Sequence, residues 1–412
     1  MYIISKAWKL KRKDKDMCLI YTHIKGNSLK SILSMVWLFT ALISHKAMAN
    51  ELTYTFDNAV GSAEFLLGSK LVPNASFGSS IFTLSSVLSE HTRAYVDLSH
   101  TQIYPESKYS SSEGELGLQM RYLNIEDNQI FAGLFAYMNR QHDSYSYYNS
   151  SGFGLYLKWK YYFKASQLII AGYDVNFNRF EEVSEASNTD HEIHFTWNQS
   201  FPSKTSLNFR NAFAYQNFWP QTVLEGQGRF IRTIEVDPIP DKMLVTSELR
   251  LSQSLGTRIG LTLWLDYQAM LNDESALLIL QDGMNNPFID RFRWEGPSSS
   301  LRLQYNLHKN HSLKLSYSFH EKNFLKVPVY EFDFENNNYV IVDEAYVSLG
   351  MNRSDTKNSI QLYWNVNLDP SHREWVPELG IVFNAGWILN ESNDLLYDFE
   401  SMNYGITFNL NQ

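Results

Sequence analysis

Long segments of alternating apolar and polar residues recur through most of the chain and constrain its fold more than any other feature. In segment 301–308 every odd position is apolar or aromatic and every even position is polar, and segment 312–320 repeats the pattern. Successive side chains of a β-strand point to opposite faces, so each segment predicts a strand with one apolar and one polar face. The same alternation occurs in 192–198, 359–368 and 403–410.

The length of these segments separates a membrane barrel from a soluble sheet. They span about 9–13 residues, whereas soluble strands usually have five or six, and a tilted strand needs about 9–11 residues to cross a bilayer. No run of 18 apolar residues follows residue 50, which excludes a helical membrane protein. We therefore expect an all-β fold, a transmembrane antiparallel up-and-down β-barrel in the outer membrane of a Gram-negative bacterium.

The polar face of the predicted strands is strongly charged. A water-filled or ion-paired lumen suits such side chains, and a lipid-facing surface does not. The candidate pore-lining residues are Arg93, Arg121, Lys158, Lys160, Asp174, Glu192, Arg210, Glu248, Arg250, Arg258, Asp266, Arg302 and Lys314. Further acids expected on this face are Asp97, Glu115, Glu344 and Glu378.

The predicted connections between strands alternate between tight turns and long loops. Short periplasmic turns and long outer loops are typical of outer-membrane barrels. The tight turns lie near Ile125–Asp127, Lys164–Ala165, Phe201–Ser203, Leu255–Thr257 and Lys309–Asn310. The long connections lie near 140–150, 179–188, 217–242, 270–297 and 321–342.

The number of strands follows from the same pattern. The predicted segments are 61–71, 77–88, 92–100, 114–124, 128–139, 151–163, 166–178, 189–200, 204–216, 243–254, 257–270, 298–308, 311–321, 343–351, 357–368, 375–389 and 402–410. This set is odd, and bacterial single-chain barrels have an even number of strands. One segment is therefore false or one is missing. We expect about 16 strands, with 12–18 allowed, and the alternation is weakest in 61–71 and 77–88.

The N-terminal 49 residues have the features of a secretory signal peptide. A short apolar core, 31–44, follows two lysines and precedes Ala47-Met48-Ala49, which has the form of a cleavage site. The core is shorter than the roughly 20 residues of a transmembrane helix. The expected organisation is a signal peptide at 1–49 and a barrel at 50–412, with translation starting at Met1 or Met17.

Charge and cysteine content exclude several classes of function. The formal net charge is −9, and the basic residues are concentrated before residue 50, so the expected barrel is more acidic still. Such a chain repels nucleic acid. The single cysteine, Cys18, lies in the expected signal peptide, which leaves no disulfide or thiol chemistry in the mature chain.

Aromatic residues cluster near predicted strand ends, at Trp159, Tyr161 and Phe163 and again at Phe213, Tyr215, Phe218 and Trp219. They are expected to form interfacial girdles, because an amphipathic ring prefers the headgroup level of a membrane.

The glycine-spaced segments 115–122, 131–137 and 152–159 resemble autotransporter-type and intimin-type barrels. The absence of a recognisable passenger resembles the solitary autotransporter-like barrels. The resemblance covers about residues 110–180 and supplies no catalytic or binding residues. Such barrels usually end on an aromatic residue, whereas this chain ends four residues after Phe408. Either recognition through a terminal aromatic residue does not apply to this chain, or Phe408 fulfils that role. The expected partners are the barrel-assembly machinery, outer-membrane lipid and lipopolysaccharide.

Two groups of residues have the composition of a catalytic site. Asp190-His191-Glu192 with His194 combines acids and imidazoles, as in omptin-type proteases. The odd spacing of His191 and His194 puts them on opposite faces, so they cannot share a metal ion. A phospholipase needs a serine and a histidine, which His308, His311 and His320 with their neighbouring serines provide. A polar lumen is sufficient to explain both groups. We therefore predict no catalytic, cofactor-binding or metal-binding residue.

Two loop segments offer possible cation ligands. Asp282–Asn286 has an Asx-Gly turn but lacks the acidic ladder of a calcium loop. Glu331, Asp333, Glu335, Asp343 and Glu344 form an acidic patch, and a solvated outer loop explains it without a bound ion.

Three function classes follow. The leading one is a non-enzymatic passive channel for small polar solutes. The first alternative is a solitary autotransporter-like structural or surface-interaction barrel with a filled, non-conducting lumen. The second is an outer-membrane protease or phospholipase. Strand number is the observation that separates them best, because it sets the width of the lumen.

Overall fold

The repeated alternation produces one closed, up-and-down antiparallel barrel of sixteen strands in the computed structural model. The structure describes residues 52–67, 70–104, 110–125, 127–141, 146, 149–182, 184–225, 232–236, 241–272, 294–333, 338–342, 345–368, 378–395 and 397–411. The predicted signal peptide lies outside this set, as does the segment Asp282–Asn286. No helix among the described residues is long and apolar enough to cross a membrane.

Each barrel strand pairs with its neighbours in the chain. The strands are β1 Leu52–Leu67, β2 Lys70–Ser89, β3 Thr92–Tyr104, β4 Ser111–Ile125, β5 Asn128–Gln141, β6 Ser150–Lys164, β7 Gln167–Phe180, β8 Asn188–Ser200, β9 Thr205–Phe218, β10 Lys242–Leu255, β11 Ile259–Met270, β12 Gly296–His308, β13 His311–Tyr330, β14 Ser348–Leu368, β15 Glu378–Ser392 and β16 Phe399–Asn411.

The even strand number resolves the odd count of predicted segments. The predicted segments 343–351 and 357–368 are not two strands, because residues 348–351 and 357–368 belong to one strand, β14, which has 21 residues. The polar stretch Asn352–Thr356 resembled a turn, yet it continues the ladder with β13 and β15. The two segments with weak alternation correspond to real strands. The first was misplaced, because 61–71 crosses the boundary between β1 and β2.

The first and last strands close the barrel. β1 pairs with β16 from Thr55↔Asn411 to Ala63↔Asn403. Gly61 and Gly405 face each other in this seam, and a Cβ on Gly61 would overlap the carbonyl oxygen of Tyr404. The close backbone approach at the seam therefore requires glycine at position 61.

The two ends of the barrel differ in their connections. At one end, here called the turn end, the strands are joined through 90–91, 126–127, 165–166, 201–204, 256–258, 309–310 and 369–377. At the other, the loop end, the connections are 68–69, 105–110, 142–149, 181–187, 219–241, 271–295, 331–347 and 393–398. All five predicted tight turns lie at the turn end. The predicted loop 321–342 begins too early, because β13 continues to Tyr330 through irregular pairing around Pro328.

The two faces of the wall have opposite chemistry. One face carries large apolar side chains that are well exposed, such as Ile193, Leu301 and Leu303, which expose 59%, 45% and 42% of their surface. The alternate residues on the same strands are polar, charged or glycine. Because the apolar face requires an apolar surrounding, it is the outer face, and the polar face lines the lumen.

Candidate functional site: the barrel lumen

The strand register places twelve of the thirteen candidate pore-lining residues on the inner face. They project from β3, β4, β6–β13, on the same face as the cross-strand contacts described below. The exception is Arg258, which lies in the turn between β10 and β11. It lines the mouth at the turn end instead of the wall. Their role in solute passage stays a prediction.

An ionic bridge crosses three strands of the inner face. Arg210 on β9 donates to Glu192 on β8 at 2.6 Å and to Glu248 on β10 at 2.9 Å. Arg210 keeps 31% of its side chain exposed, so the bridge is half-open to the lumen. One cation between two carboxylates leaves this part of the wall acidic.

A second polar contact lies beside this bridge. His194 on β8 is buried, and its Nδ1 lies 3.2 Å from Oδ2 of Asp174 on β7. Its imidazole lies flat on the wall because the neighbouring residue on β7 is Gly172, where a Cβ would overlap the ring. Asp174, Glu192 and His194 hold their ligand atoms within 4.8 Å of one another, so these three residues could bind a metal ion.

The protease-like group predicted from sequence is divided by the sheet. His191 points outward, where its Nδ1 lies 2.7 Å from the hydroxyl of Tyr173, and Glu192 and His194 point inward. The partner that His194 meets is Asp174 of the neighbouring strand. Sequence spacing within one strand gives no signal for such a cross-strand contact.

Trp264 occupies the inner face of β11 and was not among the predicted site residues. The guanidinium carbons of Arg250 and Arg302 lie 5.0 and 4.6 Å from its ring centroid, which places a cation from each neighbouring strand against it. Its position between Thr262 and Asp266 on the polar face was the available signal. The indole ring therefore contacts two guanidinium groups of like charge on the same part of the wall.

Tyrosine and lysine side chains pack along the wall formed by β3–β6. The hydroxyl of Tyr95 donates to Glu115 at 2.6 Å, and Lys160 lies 4.8 Å from the ring centroid of Phe131. Arg121 lies nearer the turn end of β4, where it donates to the carbonyl of Glu90 at 3.0 Å and connects β4 to the turn between β2 and β3.

The phospholipase-like histidines do not converge. His308 and His311 pair across the turn between β12 and β13 and border a recess of about 530 Å³ at the turn end, together with Arg258. His320 lies nine residues further along β13, which corresponds to about 30 Å of strand. No single site can contain all three.

The loop end of β13–β16 is tightly packed. Arg353 forms an ion pair with Asp355, and its guanidinium carbon lies 3.2 Å from the ring centroid of Tyr397. The hydroxyl of Tyr339, in the connection 331–347, donates to both carboxylate oxygens of Asp394 at 3.3 Å. Burial and the nearby Asp394 carboxylate raise the pKa of Tyr339 above its usual value. These contacts anchor one loop to the next at this mouth.

The predicted aromatic girdles are present in part. At the turn end Trp159 stacks on Tyr161, and Tyr161 meets Phe163 edge to face, with centroids 5.7 Å apart in both pairs. Phe218 was wrongly assigned to a girdle. It is 4% exposed and lies under the ammonium of Lys242 on the inner side of the wall.

Comparison with known proteins gives a likeness of fold only. No family model matches the chain, and no curated protein is similar to it. Solved outer-membrane barrels of sixteen strands are similar in structure. OccAB1 of Acinetobacter baumannii has 9% identity and a TM-score of 0.49, with 88% of this chain and 96% of that chain covered. OccD3 (OpdP) of Pseudomonas aeruginosa has 10% identity and a TM-score of 0.46, with 88% and 92% covered.

A third similar structure is OprD of Pseudomonas aeruginosa, with 11% identity and a TM-score of 0.45, and coverage of 88% of this chain and 94% of that chain. At these sequence identities the similarity concerns the barrel fold and not individual residues. These structures lend no support to the autotransporter-like resemblance of segment 110–180. The chain has the fold of a sixteen-stranded barrel.

Proposed function

We propose that this chain is a non-enzymatic channel of the Gram-negative outer membrane through which small polar solutes pass passively. The observation that carries the proposal is the closed sixteen-strand wall with a charged inner face and an apolar outer face. Barrels of 16–18 strands enclose an aqueous channel, whereas about eight strands enclose only their own side chains. The charged side chains of the inner face then contact water.

The outer face supports membrane insertion. Side chains such as Leu301, Leu303 and Ile193 present an apolar band between the two barrel ends. A closed barrel satisfies its backbone hydrogen bonds within the wall, which a bilayer core demands.

A liposome-swelling assay with neutral sugars of increasing size tests passive permeation. Vesicles that contain the refolded protein should swell at rates that fall as the sugar grows, because a channel of fixed width excludes larger solutes. Swelling no faster than in protein-free vesicles, with protein shown to be folded, would reject the channel.

A filled, non-conducting barrel with a structural or surface-interaction role is the second candidate. The packed loop end, where Tyr339, Asp394, Arg353 and Tyr397 join neighbouring connections, favours it. The same swelling assay separates the two candidates, since a filled barrel passes no sugar of any size. An autotransporter-like role belongs to this second candidate.

A further inference from the structure

Three metal-ligating side chains meet on the inner face where β7 and β8 pair. Asp174 lies directly opposite Glu192, and Gly172 lies opposite His194. One ligand atom from each of Asp174, Glu192 and His194 lies within 4.8 Å of the others. The group therefore combines one imidazole with two carboxylates, a donor set that suits a divalent transition-metal ion better than magnesium or calcium.

The histidine is held in place for coordination. It is 9% exposed, and its buried Nδ1 makes no hydrogen bond although Asp174 Oδ2 lies 3.2 Å away. A tetrahedral zinc ion with bonds of about 2.0 Å separates neighbouring ligand atoms by roughly 3.3 Å. The N–O distance therefore matches an edge of a zinc coordination shell.

The surroundings supply the further contacts that a metal site needs. Gly172 leaves room for the imidazole ring, which a Cβ at that position would displace. Arg210 donates to Glu192 from the β9 side at 2.6 Å and orients its carboxylate. Such neighbouring contacts fix the geometry of metal ligands. A bound dication would also offset the repulsion between two carboxylates that face each other across adjacent strands.

We propose that Asp174, Glu192 and His194 form a binding site for a divalent transition-metal ion of the zinc type on the wall of the lumen. Binding itself rests on the described geometry alone. Only its electrical consequence, a lower current when the site is occupied, rests on the proposed channel function. The proposal departs from the sequence prediction of no metal ligand, which considered histidines of a single strand.

Equilibrium dialysis of the folded protein in detergent against ZnCl2 tests the site. Wild type should bind one zinc ion saturably. His194→Ala and Asp174→Asn should each weaken binding by roughly 100-fold or more, because each removes a ligand. His320→Ala removes another histidine of the same inner face and should leave binding unchanged. Absence of saturable binding to wild type, or equal binding by all four proteins, would overturn the proposal.

A glycine variant tests the geometry without removing a ligand. Gly172→Ala should weaken zinc binding roughly tenfold by displacing the His194 ring. Gly117→Ala, where a Cβ would meet the Tyr95 ring, is the matched control and should bind as wild type does. Heat-modifiable mobility on gels shows which variants are folded. Equal affinity for folded Gly172→Ala and Gly117→Ala would contradict the assigned position of His194.

Conductance separates failure of the site from failure of the channel. Zinc should lower the current through wild type and leave the current through His194→Ala unchanged. A barrel that binds zinc in dialysis yet conducts nothing supports the metal site and rejects the channel. A conducting barrel that binds no zinc rejects the site and keeps the channel.

Discussion

At the scale of single residues, Arg210 controls the charge of the lumen wall, because it is the cation between Glu192 and Glu248. Arg210→Ala should raise the ratio of cation to anion permeability by roughly twofold or more, since two carboxylates lose their shared partner. The zero-current potential in a KCl gradient measures this ratio.

The matched control for Arg210 is Arg179→Ala. Arg179 is exposed on the outer face of β7, so the lumen charge is unaffected by its loss. An equal shift of the zero-current potential in both variants would contradict the assignment of the two faces.

Residue identities in the lumen were largely predictable, and their contacts were not. Alternation identified the inner-face positions of Asp174 and Arg210 from single strands. The contact of His194 with Asp174 depends on the register between β7 and β8. Sequence alternation predicts which face a residue occupies, but it does not predict which residue of the next strand lies opposite. Trp264 was missed because an aromatic residue on a polar face was not expected to hold two arginines.

At the scale of the strand, a charged side chain should be tolerated at an inner-face position and not at the adjacent position, which faces outward. Leu303→Lys on the outer face of β12 should destabilise the folded barrel by about 2–4 kcal/mol near the bilayer centre. Gln304→Glu on the inner face, where the new carboxylate would lie opposite Lys314, should have little effect. Urea unfolding of both variants in vesicles provides the comparison, and the reverse order of stabilities would refute the assignment of faces.

The barrel seam depends on Gly61. Gly61→Ala should destabilise the fold by about 1–3 kcal/mol, because the new Cβ meets the backbone carbonyl of Tyr404 on β16. Gly78→Ala on β2 is the control, since a Cβ there has no neighbour within 4 Å. Unfolding free energies measured in urea should fall for the first variant and stay level for the second. Equal values would exclude a close seam at this position.

The contact between Tyr339 and Asp394 should resist alkaline pH up to about pH 10. The pKa of Tyr339 is raised in the folded chain, so its stabilising contribution is complete below the unfolded value of 10.0 and declines as the pH rises above that value. Tyr339→Phe should expose the connection 331–347 to protease at neutral pH, whereas Tyr346→Phe keeps its ring packing and should not. Identical digestion of both variants would show that the hydroxyl contact does not anchor this loop.

Strand boundaries were harder to predict than strand existence. β1 begins at Leu52, where it pairs with Ser86 of β2, but Asp57-Asn58 within it resembles a turn. β14 was divided for the same reason at Asn352–Thr356. The polar stretch of β14 lies near the loop end, and there pairing with β13 and β15 defines the extent of the strand instead of alternation.

At the scale of the whole molecule, the barrel class followed from alternation, segment length and the rhythm of turns. The strand number needed the parity rule and then the pairing, which merged two predicted segments into one strand of 21 residues. Sixteen strands set the width of the lumen and so connect the fold to passive permeation. In the proposed channel, the inner charges determine which polar solutes enter most readily.

Single-channel recording in a planar lipid bilayer tests this account most directly. The refolded protein should insert and produce discrete, reproducible current steps in KCl, as expected for a water-filled barrel of sixteen strands. Repeated insertion of folded protein without any current step would contradict the channel and leave a closed, filled barrel.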